Sequence, residues 1–539
     1  MRSVARAWLL VAAVCCSAAA AAAGDEPSLR AVIDREIETH LERLKVAPAP
    51  LCDDATFLRR VTLDLVGTIP VPDEVERFLA DKDPLKRSKV IDRLLDDPRY
   101  AAHQATQWDL ALFTRNPANA EVRKREAFQK WLTEQFAKNV AYDRWVLDLF
   151  RAEGNAAEQG APLYLAQFRG QALETAEGVT RLFLGTQIRC ARCHDHPSDK
   201  WTQKDFYGFA AFFARLVVID GGGGEGKRKL IIAEKTTGDL MFTGPAKDAK
   251  PGQKGEPISA KYLEGAVVAE PPLPKDFKEP DLKNAKGPVG KPLFSRREKL
   301  AEWLVAPENP YFAKAAVNRL WTQFLGRGFY NPVDDLKEDE KSTHPALLKA
   351  LREGLVVRKF DLKAFIREIV NSRAYQRASA GAPGESQGGY ERFRLRALSA
   401  EEMMTALRAA SGADAPAADG KPAPTGNLSE YFVRYMGNLT DGRGEFQGSV
   451  SERLFMNNSG QIRQMLQRRK GNLADQILSS SDPWEKRLDR MFLSVLGRLP
   501  RPQEQEKFVA HLKGAAKPDA AVEEAIWVLV NCGEFRFNH

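Results

Sequence analysis

Cysteine is scarce in this chain, with six among 539 residues. Cys15 and Cys16 fall in a leader-like start, so Cys52, Cys190, Cys193 and Cys532 serve the body of the protein. So few cysteines in so long a chain exclude a disulfide-built scaffold. A Cys52–Cys532 bridge between the two ends remains a candidate if Cys190 and Cys193 are used elsewhere. Long apolar runs are also missing. The stretch from Ala7 to Val14 is too short to span a bilayer, and no later one reaches the roughly 18 apolar residues of a membrane helix. Neither charge sign dominates: 80 Lys and Arg against 72 Asp and Glu leave a formal +8, with the signs interspersed. That excludes the concentrated basic footprint of a nucleic-acid binder. No repeat of constant period is present, and the glycines at 221–224 lack the spacing of a phosphate-binding loop.

What is present begins with an address. Arg2 and Arg6 precede the apolar run, and small residues follow to Ala23, which reads as a signal peptide over 1–23. The expected location is extracytoplasmic, periplasmic or secreted. Cys15 and Cys16 lack the small-residue context of a lipidation signal, which argues against a lipid anchor. The remaining residues, roughly 500, are enough for two or three cores.

The pattern is that of a mainly α protein: two helical domains with a small irregular β-containing insert between them. The first domain is expected over 28–216. Val75, Phe78 and Leu79 follow Pro72 at helical spacing, Val90, Ile91, Leu94 and Leu95 form a second stripe, and the Phe128 to Phe150 stretch continues the pattern. A helix is predicted from about Glu174 towards Cys193, on Val179, Leu182, Phe183 and Gln187. The insert, 217–292, is rich in Gly, Pro and Lys, and its Leu230-Ile231-Ile232 and Leu240-Met241-Phe242 segments are candidates for one hairpin. The second helical domain is expected over 293–539. There Asp361 stands as N-cap before Leu362, Phe365, Ile366, Ile369 and Val370, and further helices lie around Leu488 to Leu496 and Val522 to Val530. Ala378 to Gly389 and Ser411 to Asn427 read as low-complexity loops.

The chemistry concentrates in Cys190-Ala191-Arg192-Cys193-His194, a c-type haem attachment pattern. On a helix, Cys190, Cys193 and His194 at i, i+3 and i+4 share one face, so two thiols reach the vinyl groups and the imidazole reaches iron. Haem c is the cofactor expected, with His194 on the haem iron. Two alternatives stay open: a transition metal such as zinc or iron held by Cys190, Cys193, His194 and His196, and a Cys190–Cys193 disulfide or redox pair. Asp195, His196, Asp199 and Trp201 are candidates to support the centre. Asp205 is a further acid beside it, with solvation or helix capping as the plainer role. His103, His344, Met241, Met403, Met404, Met436 and Met456 are candidate sixth ligands. Phe206, Tyr207, Phe209, Phe212 and Phe213 could wall a haem pocket, although ordinary core packing is favoured. Arg468-Arg469-Lys470 reads as a basic surface. No catalytic residue is assigned.

Longer segments carry a family resemblance. FLRRVTLDLVGTIP (57–70), IDRLLDDPRY (91–100), IRCARCHDHPSDKW (188–201), VNRLWTQFLGRGF (317–329), STHPALL (342–348), FDLKAFIREIVNSRAYQ (360–376) and EFRFNH (534–539) resemble an exported family of planctomycetes and related bacteria. Its two paired domains of unknown function are named for association with planctomycete cytochromes. The resemblance implies that Cys190, Cys193, His194, Asp195, His196, Asp199 and Trp201 are the matching site positions. Ser198 departs from it where an aromatic residue is usual. Members often carry a further cytochrome c domain ahead of these two. None is expected here, so any redox role falls to Cys190–His194 or to a partner. The resemblance also implies an exported sulfatase- or phosphatase-like neighbour as partner.

Together these readings give an exported c-type haem-binding protein acting in electron transfer or an associated oxidation. The alternatives are a non-haem metal-dependent enzyme or hydrolase acting on an exported polymer such as polysaccharide, and a structural or scaffold protein with a disulfide at Cys190–Cys193.

Overall fold

Local signals account for the helices. Pro72 opens the Pro72–Ala80 helix, where its missing N–H costs nothing, and Val75 and Phe78 are its buried face. Val90, Ile91, Leu94 and Leu95 are the buried stripe of Lys86–Leu95. The Phe128 to Phe150 run is two helices, Glu126–Ala137 and Tyr142–Arg151, separated by a break at Asn139, whose φ is 48°. Asp361 caps Leu362–Asn371, its Oδ1 accepting the Ala364 N–H at 2.9 Å. The last two expected helices form as Trp484–Leu496 and Pro518–Asn531. The computed structural model describes residues 28–115, 122, 125–222, 229–244, 255–282, 291–380, 389–413, 432, 436 and 450–539. The expected signal peptide lies outside these residues, as do most of both low-complexity stretches. Within them the chain is mainly α-helical with short strands in small sheets. Among the described residues no helix is long and apolar enough to cross a membrane.

Two apolar cores organise the chain. The first gathers helices from residues 29–213 together with those from 296–376, so Phe57, Trp145 and Phe183 share one cluster with Val317, Trp321 and Ile366. The second runs from Leu398 to Phe535 and takes in Leu63 and Ile69 from far upstream. Helices on both sides of the insert therefore build the first core.

The insert pairs differently from the expected hairpin. Leu230–Glu234 is a central strand, antiparallel to Leu216–Asp220 on one side and to Gly154–Asn155 on the other, with Val218 opposite Ile232. Leu240–Phe242 pairs instead with Glu256–Ile258. Both edges of the Leu230 strand are already occupied. The chain then turns away because the Glu279 carboxylate takes the N–H groups of Thr236 and Thr237, at 3.0 and 2.7 Å, while Arg215 Nε donates to the Gly238 carbonyl at 3.0 Å.

The Cys52–Cys532 bridge does not form. Both thiols are free, and they belong to different cores: Cys52 is buried in the first, and Cys532 packs against the second.

The helix that joins the cores is Asp54–Val66. It is opened by Asp53, whose Oδ1 accepts the Thr56 N–H at 2.8 Å, and every residue from Phe57 to Val66 is buried. Its polar side chains reach across the chain. Arg59 donates to the Val495 and Phe535 carbonyls, at 3.1 and 3.0 Å. Arg60 donates to the carbonyls of Tyr375, Arg377 and His539. Asp64 accepts from Tyr375 Oη at 2.8 Å, Arg396 at 2.9 Å and Asn538 Nδ2 at 2.8 Å. Arg396 also grips Glu402, whose carboxyl burial alone would push up; the guanidinium outweighs that and holds it down at about 2. FLRRVTLDL and EFRFNH, distant in sequence, thus meet in one buried network.

Asp64→Ala leaves the Tyr375 hydroxyl, Arg396 and Asn538 short of a buried acceptor. We expect a loss of about 3–5 kcal/mol in denaturant unfolding, against little change for the exposed Asp96→Ala.

Acid lability is built in. His344 is lowered from 6.5 to about 3, first by burial and then by the neighbouring His40 and Arg43. Burial also lowers His103 and His539. Below about pH 6.5 the unfolded chain binds protons that the folded chain refuses, so stability falls as pH drops. Urea midpoints should decrease from about pH 7 to about pH 5, less so in His344→Gln.

Candidate functional site

The helix leading to the motif is shorter than predicted. Ala172–Phe183 ends well before Cys190, and the Thr180 carbonyl accepts both the Leu184 and Thr186 N–H groups. Gly185 follows with φ 60°, and a Cβ there would come within 2.5 Å of the Leu336 side chain. The motif itself forms a 3₁₀ turn, Arg189–Arg192, with Cys193 N–H on the Cys190 carbonyl at 3.3 Å. Cys190, Cys193 and His194 therefore share a tight turn, not the face of an α-helix. Ala191, fully buried, anchors it, while both cysteines are exposed free thiols.

The two histidines differ in what they can offer. His194 Nδ1 lies 2.8 Å from the Asp195 carbonyl. A carbonyl only accepts, so Nδ1 carries the proton and the neutral ring presents the lone pair of Nε2. His196 has the reverse arrangement: its Nδ1 accepts the Ser198 N–H at 3.3 Å, which leaves the proton of the neutral ring on Nε2. His194 thus presents an Nε2 lone pair and His196 an Nε2–H donor. Two free thiols on the same turn complete the donor set of a c-type haem, so the residues fit that group. Among the described residues, no group of three or more His, Cys, Asp and Glu side chains is arranged to hold a metal ion.

The supporting candidates hold the turn in place. Asp195 Oδ1 accepts the Gln203 N–H at 2.9 Å, and Gln203 Nε2 returns to the Arg192 carbonyl at 3.2 Å. Arg192 is paired with Glu174 and Glu177, at 3.1 and 3.4 Å. The His196 N–H closes a loop onto the Trp201 carbonyl at 2.8 Å, and Trp201 is buried. Asp205 serves a capping box with Thr202 at the start of Gln203–Ala210. Phe206, Phe209, Phe212 and Phe213 are fully buried in the first core, where Phe209 meets Trp303 and Phe212 meets Tyr262.

The candidate sixth ligands are dispersed. His103 lies buried with Nε2 3.9 Å from Glu402, and His344 lies against His40 with ring centroids 4.0 Å apart and planes tilted by 39°. Met403, Met436 and Met456 are inside the second core and Met404 packs against it, while Met241 is half exposed on its strand.

Several residues at the site carry no sequence signal. Asn318 is buried in Phe312–Leu325; its Nδ2 donates to the Tyr330 and Val333 carbonyls and its Oδ1 accepts the Tyr330 N–H. This shapes the following loop, which clamps the motif on both sides. Upstream, Leu336 N–H bonds to the Gly185 carbonyl at 2.8 Å, and Asp334 receives Gln187 Nε2 at 3.0 Å and Arg181 at 3.3 Å. Downstream, Lys337 pairs with Asp199 at 3.1 Å.

Asp334→Ala should release the turn. Deuterium exchange of the amides in 184–192 is expected to rise about tenfold, the effect of losing a charge-assisted bond, with exchange in Trp484–Leu496 unchanged.

Two family models match the chain: PSCyt2, described as a protein of unknown function (DUF1549), over residues 32–217, and PSD1, a protein of unknown function (DUF1553), over residues 296–444. No curated protein and no solved structure matches it. The turn bearing Cys190–His194 lies in the first matched region and the Asn318–Lys337 clamp in the second. The chain thus belongs to the cytochrome-associated family of planctomycete type that pairs these two domains of unknown function.

Proposed function

We propose that this chain is an exported c-type haem protein acting in electron transfer or an associated oxidation. The observation that carries the reading is the His194 imidazole, with Nδ1–H tied to the Asp195 carbonyl and the Nε2 lone pair free, on the same turn as two free thiols. Cys190 and Cys193 would hold haem through thioether bonds and His194 would bind its iron. Bound haem supplies one-electron redox chemistry.

The chain's own residues do the positioning. The Asp195 carbonyl fixes the His194 tautomer, and the Asp195 carboxylate ties the turn to Gln203. Glu174 and Glu177 hold Arg192 between the two cysteines in sequence. The three side chains that would hold haem are all exposed, so a group held there would be accessible to an exported redox partner.

Produced with the c-type maturation machinery, the protein should show a Soret band and stain for covalent haem in a denaturing gel. Cys190→Ala or Cys193→Ala should abolish covalent attachment while leaving the far-ultraviolet dichroism of the helical fold. His194→Ala should keep partial attachment with an altered spectrum. Purified protein with two titratable thiols and no haem would sink the reading.

A further inference from the structure

A cleft of about 660 Å³ opens where the two family regions meet, beside the motif. Its volume lies within the range of about 300–1,000 Å³ typical of small-molecule sites. One wall is Pro197 to Trp201, directly downstream of His194 and His196; the facing walls come from Pro310, Tyr311 and the loop around Leu336 to Lys341.

The charges in this cleft cancel locally. Lys337 is held by Asp199 at 3.1 Å, Lys200 by Glu264, and Lys341 by Glu338 at 2.6 Å. Lys314 and Arg352 converge on Asp339, at 2.7 and 3.5 Å. Every cation lining the cleft therefore already has a carboxylate of the cleft as its partner. A charged ligand would have to break one of these pairs to make another, with little net gain. A neutral polar ligand has no such cost. Paired carboxylates keep spare lone pairs and paired ammonium groups keep spare N–H bonds. Between them lie the exposed Ser198 and the half-buried Tyr311, whose ring lies 6.2 Å from that of Trp201 and whose hydroxyl is tied to Glu264. The Trp201 indole N–H, in the same wall, is buried with no acceptor. A dense set of uncharged-ligand contacts beside an aromatic face suits a molecule with hydroxyls at its rim and C–H groups on its faces.

We infer that this cleft binds an uncharged, polyhydroxylated ligand: a short stretch of neutral saccharide. The site lies against the haem-type turn but does not depend on haem.

The test uses the full chain, both as produced with the c-type maturation machinery and as the haem-free Cys190→Ala, Cys193→Ala variant. Each is titrated calorimetrically with maltohexaose, cellohexaose, laminarihexaose and mannohexaose, and with tetragalacturonate and a sulfated galactan oligosaccharide as charged comparators. The expected result is saturable binding of at least one neutral hexaose by both proteins, with affinity nearly independent of salt. Ser198→Trp, which fills the cleft from an exposed position, should weaken it at least about tenfold at unchanged melting temperature, and Tyr311→Ala should weaken it as much with the far-ultraviolet dichroism of the fold retained. Binding of no neutral hexaose, preference for the charged comparators, or full affinity in Ser198→Trp would overturn the inference. Because the haem-free variant is titrated as well, failure here leaves the haem reading standing, and absence of haem leaves this one standing.

Discussion

The buried guanidinium and carboxylate groups of Asp54–Val66 are the constraint on which the rest of the structure depends. Two arginines and an aspartate inside a protein are tolerable only if nearly all their hydrogen-bonding capacity is met. Asp64 has both oxygens bonded, and Arg59 and Arg60 each bond two of their three nitrogens, with partners near residues 375, 396, 495 and 535–539, leaving Arg59 Nε and Arg60 Nη2 without one. Apolar packing would allow the second core to slide against the first. Directed bonds to single carbonyls and carboxylates do not, so the network sets the register between the cores.

With that register fixed, the motif acquires its surroundings. The helices that follow the insert pack into the same core as those before it, which brings the loop after Asn318 against Gly185 and Gln187. The exposed Cys190–His194 turn has few apolar contacts of its own beyond Ala191 and Ile188. It is held by polar bonds, from Gln203, Glu174 and Glu177 on the turn itself and from Asp334 and Lys337 on its two flanks. A site made this way belongs to the pair of domains, and that gives a physical reason for the two to occur in one chain.

Much of this was legible in the residues. Helical periodicity and caps located Pro72–Ala80, Lys86–Leu95 and Leu362–Asn371 because each decision is local: a stripe, a proline at the start, an Asp361 carboxylate on a nearby N–H. The motif was legible for the same reason. What was not legible depends on partners remote in sequence. The strand Leu230–Glu234 chose Leu216–Asp220 over its nearer neighbour because Glu279 captured the intervening amides. The helix after Ala172 stopped early because Gly185 is needed against Leu336. Nothing in the spacing of Asp334 or Lys337 announces a clamp, since two charged residues in a loop look like any solvated pair.

The bond from Arg60 to the carbonyl of His539 spans 479 positions of sequence. Synthesis is vectorial, so the segment around Arg60 emerges long before His539 does. Until then the Arg60 guanidinium is hydrated by water and the buried network cannot close. Contacts of such sequence separation carry a loop-closure cost that slows folding.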